Sequence, residues 1–501
     1  MRADADRSFW WFLALGLLLR CAALDHPLVD AGLIRQCQTA AVTQSLLTEH
    51  GFAISSQIPW AGDFDERFVL EMPIYNYLVI GVAALMGHLT VSGKLVAIAL
   101  WAFSFWLLQG IWRRALDPSA AWWANLLFIA SPLGVFYAQA FMPESLVQML
   151  AFAFLLLLLR HDEQPTLPRW YLAAFTGLLC LLVKAPMTAH LYLVFLGLVV
   201  TRERWRSLFR PRYLIAGIVS AACVVGWGNY LDAVNRSPLS FGDTGRNLQA
   251  FIGPLRLRFE FQTWKMVALY LGGFMAPGLA ALGVFGGAIV VLRRGCSRVL
   301  GLWLASIVIF YLLWLGNGPA SQGYYNLPAL GPVCALFGLG VRAFLEWPRL
   351  ARLRRFAAPL AAFTIIGCAV PVWIYLFTPD RTILAAANWA RDHTEPGAPI
   401  LFRAAHRADL QDYAPNPVFP FYAGRPTFIW VNSLPEPYRS AALQRTKYAV
   451  VTLPQPEGKW LTRLRRLRGL PTPPPESTQW LEDLGFQPIA EDAAFVAFRR
   501  Q

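Results

Sequence analysis

Long apolar runs restrict this chain to one class of fold. Windows of about 18 or more apolar residues, the length that crosses a bilayer core, occur near 8–24, 94–112, 119–137, 144–160, 213–231, 264–292, 299–315, 327–345 and 357–377, and two shorter runs at 170–183 and 187–200 reach that length only by extending into their flanks. Hydrocarbon offers no water to backbone N–H and C=O groups, so such runs must be helices. Composition agrees: 56% of the 501 residues are hydrophobic and 15% charged, where a soluble chain carries roughly a quarter charged. The expected class is an all-α polytopic membrane protein. The 264–292 run is overlong and carries Pro277, which reads as a surface helix joined to a span. The N-terminal stretch has a charged start but no small-residue cleavage site, and reads as a retained first span.

Loop charges then set the topology. The net charge of +14 calls for no nucleic acid, because basic excess in a membrane protein marks the cytoplasmic loops. Basic clusters are Arg113/Arg114, Arg160/Arg169, the five arginines from Arg202 to Arg212, Arg293/Arg294/Arg298, and the four from Arg349 to Arg355. If the ambiguous segment 71–87 does not cross, every cluster falls on the side of the N-terminus. If it crosses, the later clusters flip and violate the positive-inside rule repeatedly. The expectation is therefore about eleven spans, a cytoplasmic N-terminus, an outer C-terminus, and 71–87 as a juxtamembrane or re-entrant helix on the outer side. Asp30, Glu71, Glu144 and Lys184 then share the extracytoplasmic face, together with the connections 232–262 and 316–326.

The module 1–377 contains a long outer loop at 25–93. Beyond it, residues 378–501 change character: no spanning run remains, and β-like runs (APILF, PTFIWVN, YAVVTL, AFVAF) alternate with helical ones. That pattern predicts a small C-terminal α/β extracytoplasmic domain, with the Pro-rich PTPPPES at 471–477 as a loop. None of the seven cysteines forms a CxxC pair, and most read as small core residues. His88, His190 and His406 show no ligand spacing. Asn235-Arg-Ser matches a glycosylation acceptor only as a chance tripeptide of that form would.

Five strings in order, HPLVDAGLIRQCQTAAVTQSL, EMPIYNYL, QAFMPES, LLVKAP and QGYYNLPALGP, resemble the GT-C fold transferases that use polyprenyl-phosphate sugars. The likeness is strongest to glycosyltransferase family 39, which includes protein mannosyltransferases and the lipid-A aminoarabinose transferase, and it covers roughly 10–345. The resemblance implies an inverting hexosyl- or pentosyltransferase of a bacterial inner membrane. Its donor would be a polyprenyl-phosphate sugar and its acceptor a lipid, glycan or protein. It implies that Asp30 is the general base, help worth about 10²–10⁴-fold; Asp30 also precedes a helical run and would serve there as an N-cap. Glu71 matches the Glu of a Glu-Lys-Pro-Pro stretch tied to donor phosphate or a divalent metal ion. Here the lysine is replaced, giving Glu-Met-Pro-Ile. A carboxylate alone repels a phosphodiester, so either a metal sits on Glu71 and Glu144 or Lys184 and an arginine supply the positive charge.

Lys184, Tyr324 and Tyr325 match donor-binding positions, though a lysine at a span end also snorkels and tyrosines also form membrane belts. Arg246, Arg256 and Arg258 suit the donor's phosphate, with contact to membrane lipid headgroups the favoured reading. The competing class is a secondary transporter or lipid flippase, which would favour internal repeats and mid-membrane polar sites. A membrane scaffold displaying the C-terminal domain is a third.

Overall fold

A computed structural model of the protein describes all residues except 1, 50–52, 70, 238, 241–243, 317, 349–353, 407–415, 432–433, 455–477 and 501. Arg349, Arg352 and the 471–477 segment lie outside the described residues, as do the side chains of Arg246, Arg354 and Arg355. The first stretch holds α1 (Arg2–Cys21), α2 (Leu33–Thr48), α3 (Ile74–Met86) and α4 (Leu89–Ala115). Next come α5 (Pro118–Ala130), α6 (Pro132–Tyr137), α7 (Glu144–Glu163), α8 (Leu167–Thr188), α9 (His190–Glu203) and α10 (Pro211–Val234). The bundle is completed by α11 (Thr244–Ile252), α12 (Phe261–Ala268), α13 (Leu279–Arg294), α14 (Arg298–Leu313), α15 (Leu330–Glu346) and α16 (Arg354–Phe377).

Each of the eleven apolar windows holds a helix, but they are not eleven equal spans. Among the described residues, five helices are long and apolar enough to cross a membrane, and six if one bent pair counts as a span. The apolar parts of α1 and α14 are shorter, because their windows run on into the flanking loops. The bent pair is the overlong run: α12 continues as a π-helix over Leu269–Met275 and α13 leaves at 113°. Pro277 lies in the break, where its missing N–H and fixed φ end the helix. As expected, α3 is short. Its 13 residues reach only ~20 Å against a bilayer core of about 30 Å, and Gly87 in the left-handed region (φ 69°) turns the chain into α4.

The arginines of the helix connections gather at one end of the bundle. There Arg114 bonds Glu163 (2.6 Å), Arg202 and Arg298 meet Asp162, and Arg342 meets Asp117. Arg114, Arg202 and Arg298 come from the clusters grouped by the loop charges, and Arg342, which lies outside them, ties α15 to the α4–α5 connection. At the other end lie the connections that carry Asp30, Glu71, Glu144 and Tyr324. Between the ends, α13 and α15 approach unusually closely through Gly283, Gly287 and Gly340. A Cβ on Gly287 would sit 1.8 Å from Leu336 O, and one on Gly340 would sit 2.0 Å from Gly283 O. Small residues at such a crossing let two membrane helices make van der Waals contact along their backbones.

The first long loop forms a two-strand pair, β1 (Ser56–Gln57) with β2 (Arg67–Phe68). The C-terminal region is an α/β unit whose helices include α17 (Arg381–His393), α18 (Val418–Ala423) and α19 (Glu436–Arg445). Its strands are β3 (Ile400–Arg403), β4 (Thr427–Ile429), β5 (Tyr448–Thr452), β6 (Phe486–Glu491) and β7 (Phe495–Arg500). The five-stranded sheet runs β4-β3-β5-β7-β6, parallel across β4, β3 and β5 and antiparallel beyond. All four β-like runs are strands. β6 escaped the pattern because it carries Pro488, which suits only an edge strand, and its register shifts between Pro488 and Ala490. This unit docks on the acidic end. Gly62 N donates to Thr427 O (2.9 Å), and Ala61 bridges Phe428, so the first loop covers the open edge of β4.

Candidate active site

Asp30 lies in the turn between α1 and α2 and is 6% exposed. It is not the N-cap of α2; that residue is Gly32. Instead its Oδ1 accepts from the Gly32 N–H (3.1 Å), an Asx-type turn, and from Gln36 Nε2 (2.6 Å). Gln36 in turn accepts at Oε1 from the Phe141 N–H (2.9 Å), which joins this turn to the connection before α7. Burial pushes the Asp30 carboxyl up to about 7, against the opposing pull of the Gly32 N–H, Lys94 and Gln36. Lys94 is held nearby by the carbonyls of Ala23 (2.7 Å) and His26 (2.6 Å). A base poised near the working pH is where proton transfer is most effective. Asp25, the other acid of this loop, is exposed.

A second cluster adjoins it. Lys184 Nζ is paired with Glu144 Oε1 and lies 3.1 Å from Glu71 Oε1. Arg35 Nη2 is 2.5 Å from the same Glu71 oxygen. The ammonium stands 4.5 Å over the Tyr324 ring and 5.6 Å from that of Tyr325, close enough for cation–π attraction. Both tyrosines are buried, so they belong to the cluster and not to a membrane belt. Burial pushes the Glu71 carboxyl up, but Arg35 and Lys184 outweigh it and hold it below its ordinary value. Arg35 and Gln36 are consecutive on α2, one reaching the Glu71 cluster and the other Asp30, so one helical turn couples both halves of the site.

Local sequence explains how the lysine gets there. Pro186 lacks the N–H that would bond back into α8 and crowds the preceding turn. Lys184 accordingly leaves helical geometry (φ −161°, ψ 75°). The carbonyls loosened by this break are taken up by Thr188 Oγ1, which donates to Cys180 O (3.1 Å) and Lys184 O (3.2 Å). Glu144 opens α7 directly after Pro143 and is fully buried. Its Oε2, Arg35 Nε and both amide atoms of Gln139 have no partner among the described residues.

The donor set does not fit a divalent ion as arranged. Lys184 already occupies both carboxylates and Arg35 shares one. No group of three or more His, Cys, Asp or Glu side chains converges among the described residues. The alternative left open by the sequence, Lys184 with an arginine, is the arrangement seen, and the arginine is Arg35. Arg35 and Gln36 lie within the string HPLVDAGLIRQCQTAAVTQSL and carry no motif of their own. A cation five residues beyond a candidate base at a helix start was the available signal.

Other candidates lie elsewhere. Arg258 donates to the carbonyls of Leu312 (2.8 Å), Leu313 (3.0 Å) and Ile252 (2.9 Å), which stitches two loops together. Arg256 is largely exposed and pairs with Glu260 at 3.5 Å. Asn235 is buried, exchanging hydrogen bonds with the Val69 N–H and C=O (both 3.0 Å), and is no surface acceptor. Of the cysteines, Cys37, Cys180 and Cys334 are buried as expected, whereas Cys21, Cys223 and Cys296 are exposed.

Two solved structures share this architecture along almost its whole length. ArnT from Cupriavidus metallidurans in the apo state superposes with a TM-score of 0.64 at 15% identity, covering 97% of each chain. The same protein bound to undecaprenyl phosphate gives 0.63 at 14% identity, again covering 97% of each. The fold is GT-C. At such low identity the likeness fixes the fold and leaves the chemistry to the residues. No protein-family profile matches the chain, and no curated protein matches its sequence.

Proposed function

We propose that this GT-C protein is an inverting glycosyltransferase that moves a sugar from a polyprenyl phosphate to an acceptor hydroxyl or amine at the extracytoplasmic face. The observation that carries the reading is the joint site: a buried carboxylate with a raised pKa, one residue of α2 away from a lysine–arginine cluster. ArnT was solved with undecaprenyl phosphate bound, which supports a polyprenyl-phosphate carrier for this chain as well. The gathering of Arg114, Arg202 and Arg298 at the opposite end of the bundle supports placing the Asp30 end at the outer face of a bacterial inner membrane.

In the proposed reaction an acceptor O–H or N–H attacks the anomeric carbon. The bond from that carbon to the phosphate oxygen breaks, its electron pair leaves with the phosphate, and Asp30 takes the acceptor's proton. The donor phosphodiester carries one negative charge, whereas the departing monoester gains a second. Lys184 and Arg35 therefore interact more strongly with the transition state than with the donor, which is what accelerates a reaction. Glu71 and Glu144 keep those cations charged and in place. The unpartnered Glu144 Oε2, Arg35 Nε and Gln139 amide suit a ligand rich in hydroxyl and phosphate oxygens, since buried polar groups normally have partners.

Purified protein is tested for transfer from a short polyprenyl-phospho-sugar, with Asp30→Asn as the control. Transfer lost in the variant, at unchanged folding, supports the reading. Equal turnover removes Asp30 as base, and transport of the intact lipid sugar without bond cleavage favours a flippase.

A further inference from the structure

We infer that the C-terminal domain holds the catalytic turn in register, and that Asp380 and His406 are positioning residues for Asp30; the inference rests on the reaction proposed above. The backbone on both sides of Asp30 is bonded to the segment leading into that domain. Asp380 N donates to Val29 O (2.6 Å) and Ala31 N donates to Leu376 O (3.2 Å). One residue earlier, Leu28 N donates to the Tyr422 hydroxyl at 2.5 Å. Residues 28–31 therefore have three backbone tethers to residues 376–422, while the Asp30 carboxylate is oriented from the other side by Gln36 and Gly32.

Asp380 is itself fixed by the sheet. Its carboxylate caps α17 by accepting from Ile383 N (3.3 Å) and faces His406 Nε2 with both oxygens (3.1 and 2.9 Å). The His406 ring is buried and meets Thr452 Oγ1 through Nδ1 at 2.7 Å. Thr452 ends β5, and its hydroxyl donates to Arg403 O (3.3 Å) at the end of β3. A continuous line thus runs from two central strands through Thr452, His406 and Asp380 to the carbonyl beside the base. A carboxylate displaced by about 1 Å from its reactive geometry loses about 10² in rate, so the line has catalytic weight without touching substrate.

The test compares His406→Ala, His406→Asn and Arg425→Ala in the full-length protein. The last removes a staple inside the same domain, where Arg425 donates to Arg391 O and Thr394 O. Two quantities are read: hydrogen exchange of the peptide covering 26–36, and kcat and KM for transfer. Faster exchange and about a tenfold or greater loss of kcat in His406→Ala, with donor KM within about twofold, support the inference. Partial recovery in His406→Asn and no change in either readout for Arg425→Ala complete that support. Unchanged exchange in His406→Ala overturns it, as does an equal loss in Arg425→Ala. Exchange needs no substrate, so it decides the tether even if wild-type protein shows no transfer and the proposed reaction itself falls.

Discussion

Lys184 offers the sharpest test of the site, because its removal and its partner's removal have opposite consequences. Its ammonium is 3.1 Å from Glu71, a gross attraction of about 5 kcal/mol at an effective dielectric of 20, and it pairs more closely still with Glu144, which is fully buried. Lys184→Met leaves Glu144 without a cation, a change expected to cost about 3–5 kcal/mol of stability. Glu71 keeps Arg35 at 2.5 Å and stays compensated. Adding Glu144→Gln removes the stranded charge, so the double variant should recover to within about 1–2 kcal/mol of wild type. Transfer behaves differently. If Lys184 stabilises charge on the leaving phosphate, turnover falls about 10²–10³-fold in the single variant and stays down in the double. Detergent-titrated unfolding and single-turnover transfer measure the two quantities. A double variant that regains both stability and turnover would refute a role for Lys184 beyond structure.

Other outcomes follow from the same geometry. The rate should rise with pH through about 7 and then level, because Asp30 must lose its proton to act; a rate that stays flat through that range would count against Asp30 as the base. Burial raises the Asp30 pKa, so its contribution to stability is fully present below about pH 4 and is lost as pH rises through about 7. Asn at this position should accordingly unfold at higher denaturant than wild type above pH 7. Arg35→Lys keeps the charge but not the reach of the planar guanidinium, and turnover should drop about tenfold. Pro186→Ala restores a helical hydrogen bond and should draw Lys184 back into α8, with stability kept or raised and transfer lost in the same assay. Chelating agents should leave turnover unchanged, because Lys184 and Arg35 fill the places a metal would take at Glu71 and Glu144; a loss reversed by one divalent ion would overturn that.

The sequence made the helices and their ends legible because bilayer insertion acts on long runs and on loop charges. Both signals survive without any tertiary information, and so the parity of the arginine clusters placed Asp30, Glu71, Glu144 and Lys184 at one end. Four of the five strands of the C-terminal sheet were legible as short apolar β-like runs between helical ones, and three of them are buried along nearly their whole length, while β6 was hidden by Pro488. What the sequence did not disclose was pairing. Nothing in Glu-Met-Pro-Ile says that Glu71 pairs with Arg35 of α2, 36 positions earlier. Likewise His406 has no partner at ligand spacing, because Asp380 is brought to it by the docking of α17 on the sheet. Arg258 is a further case of undisclosed pairing: its donors go to the backbone carbonyls of Leu312, Leu313 and Ile252, which no sequence pattern announces.

The cover that residues 61 and 62 place over β4 bears on how the C-terminal unit can be handled in the laboratory. A fragment beginning near residue 378 would keep most of its sheet and lose that cover, leaving the Phe428 edge bare. Open strand edges recruit other chains, so such a fragment is expected to self-associate, with light scattering as the readout. A peptide spanning 58–66, supplied separately, should compete with that association. The boundary drawn by composition at 377/378 is thus crossed by a strand-edge contact: the first loop, more than three hundred residues upstream, lies against the outer strand of the last sheet.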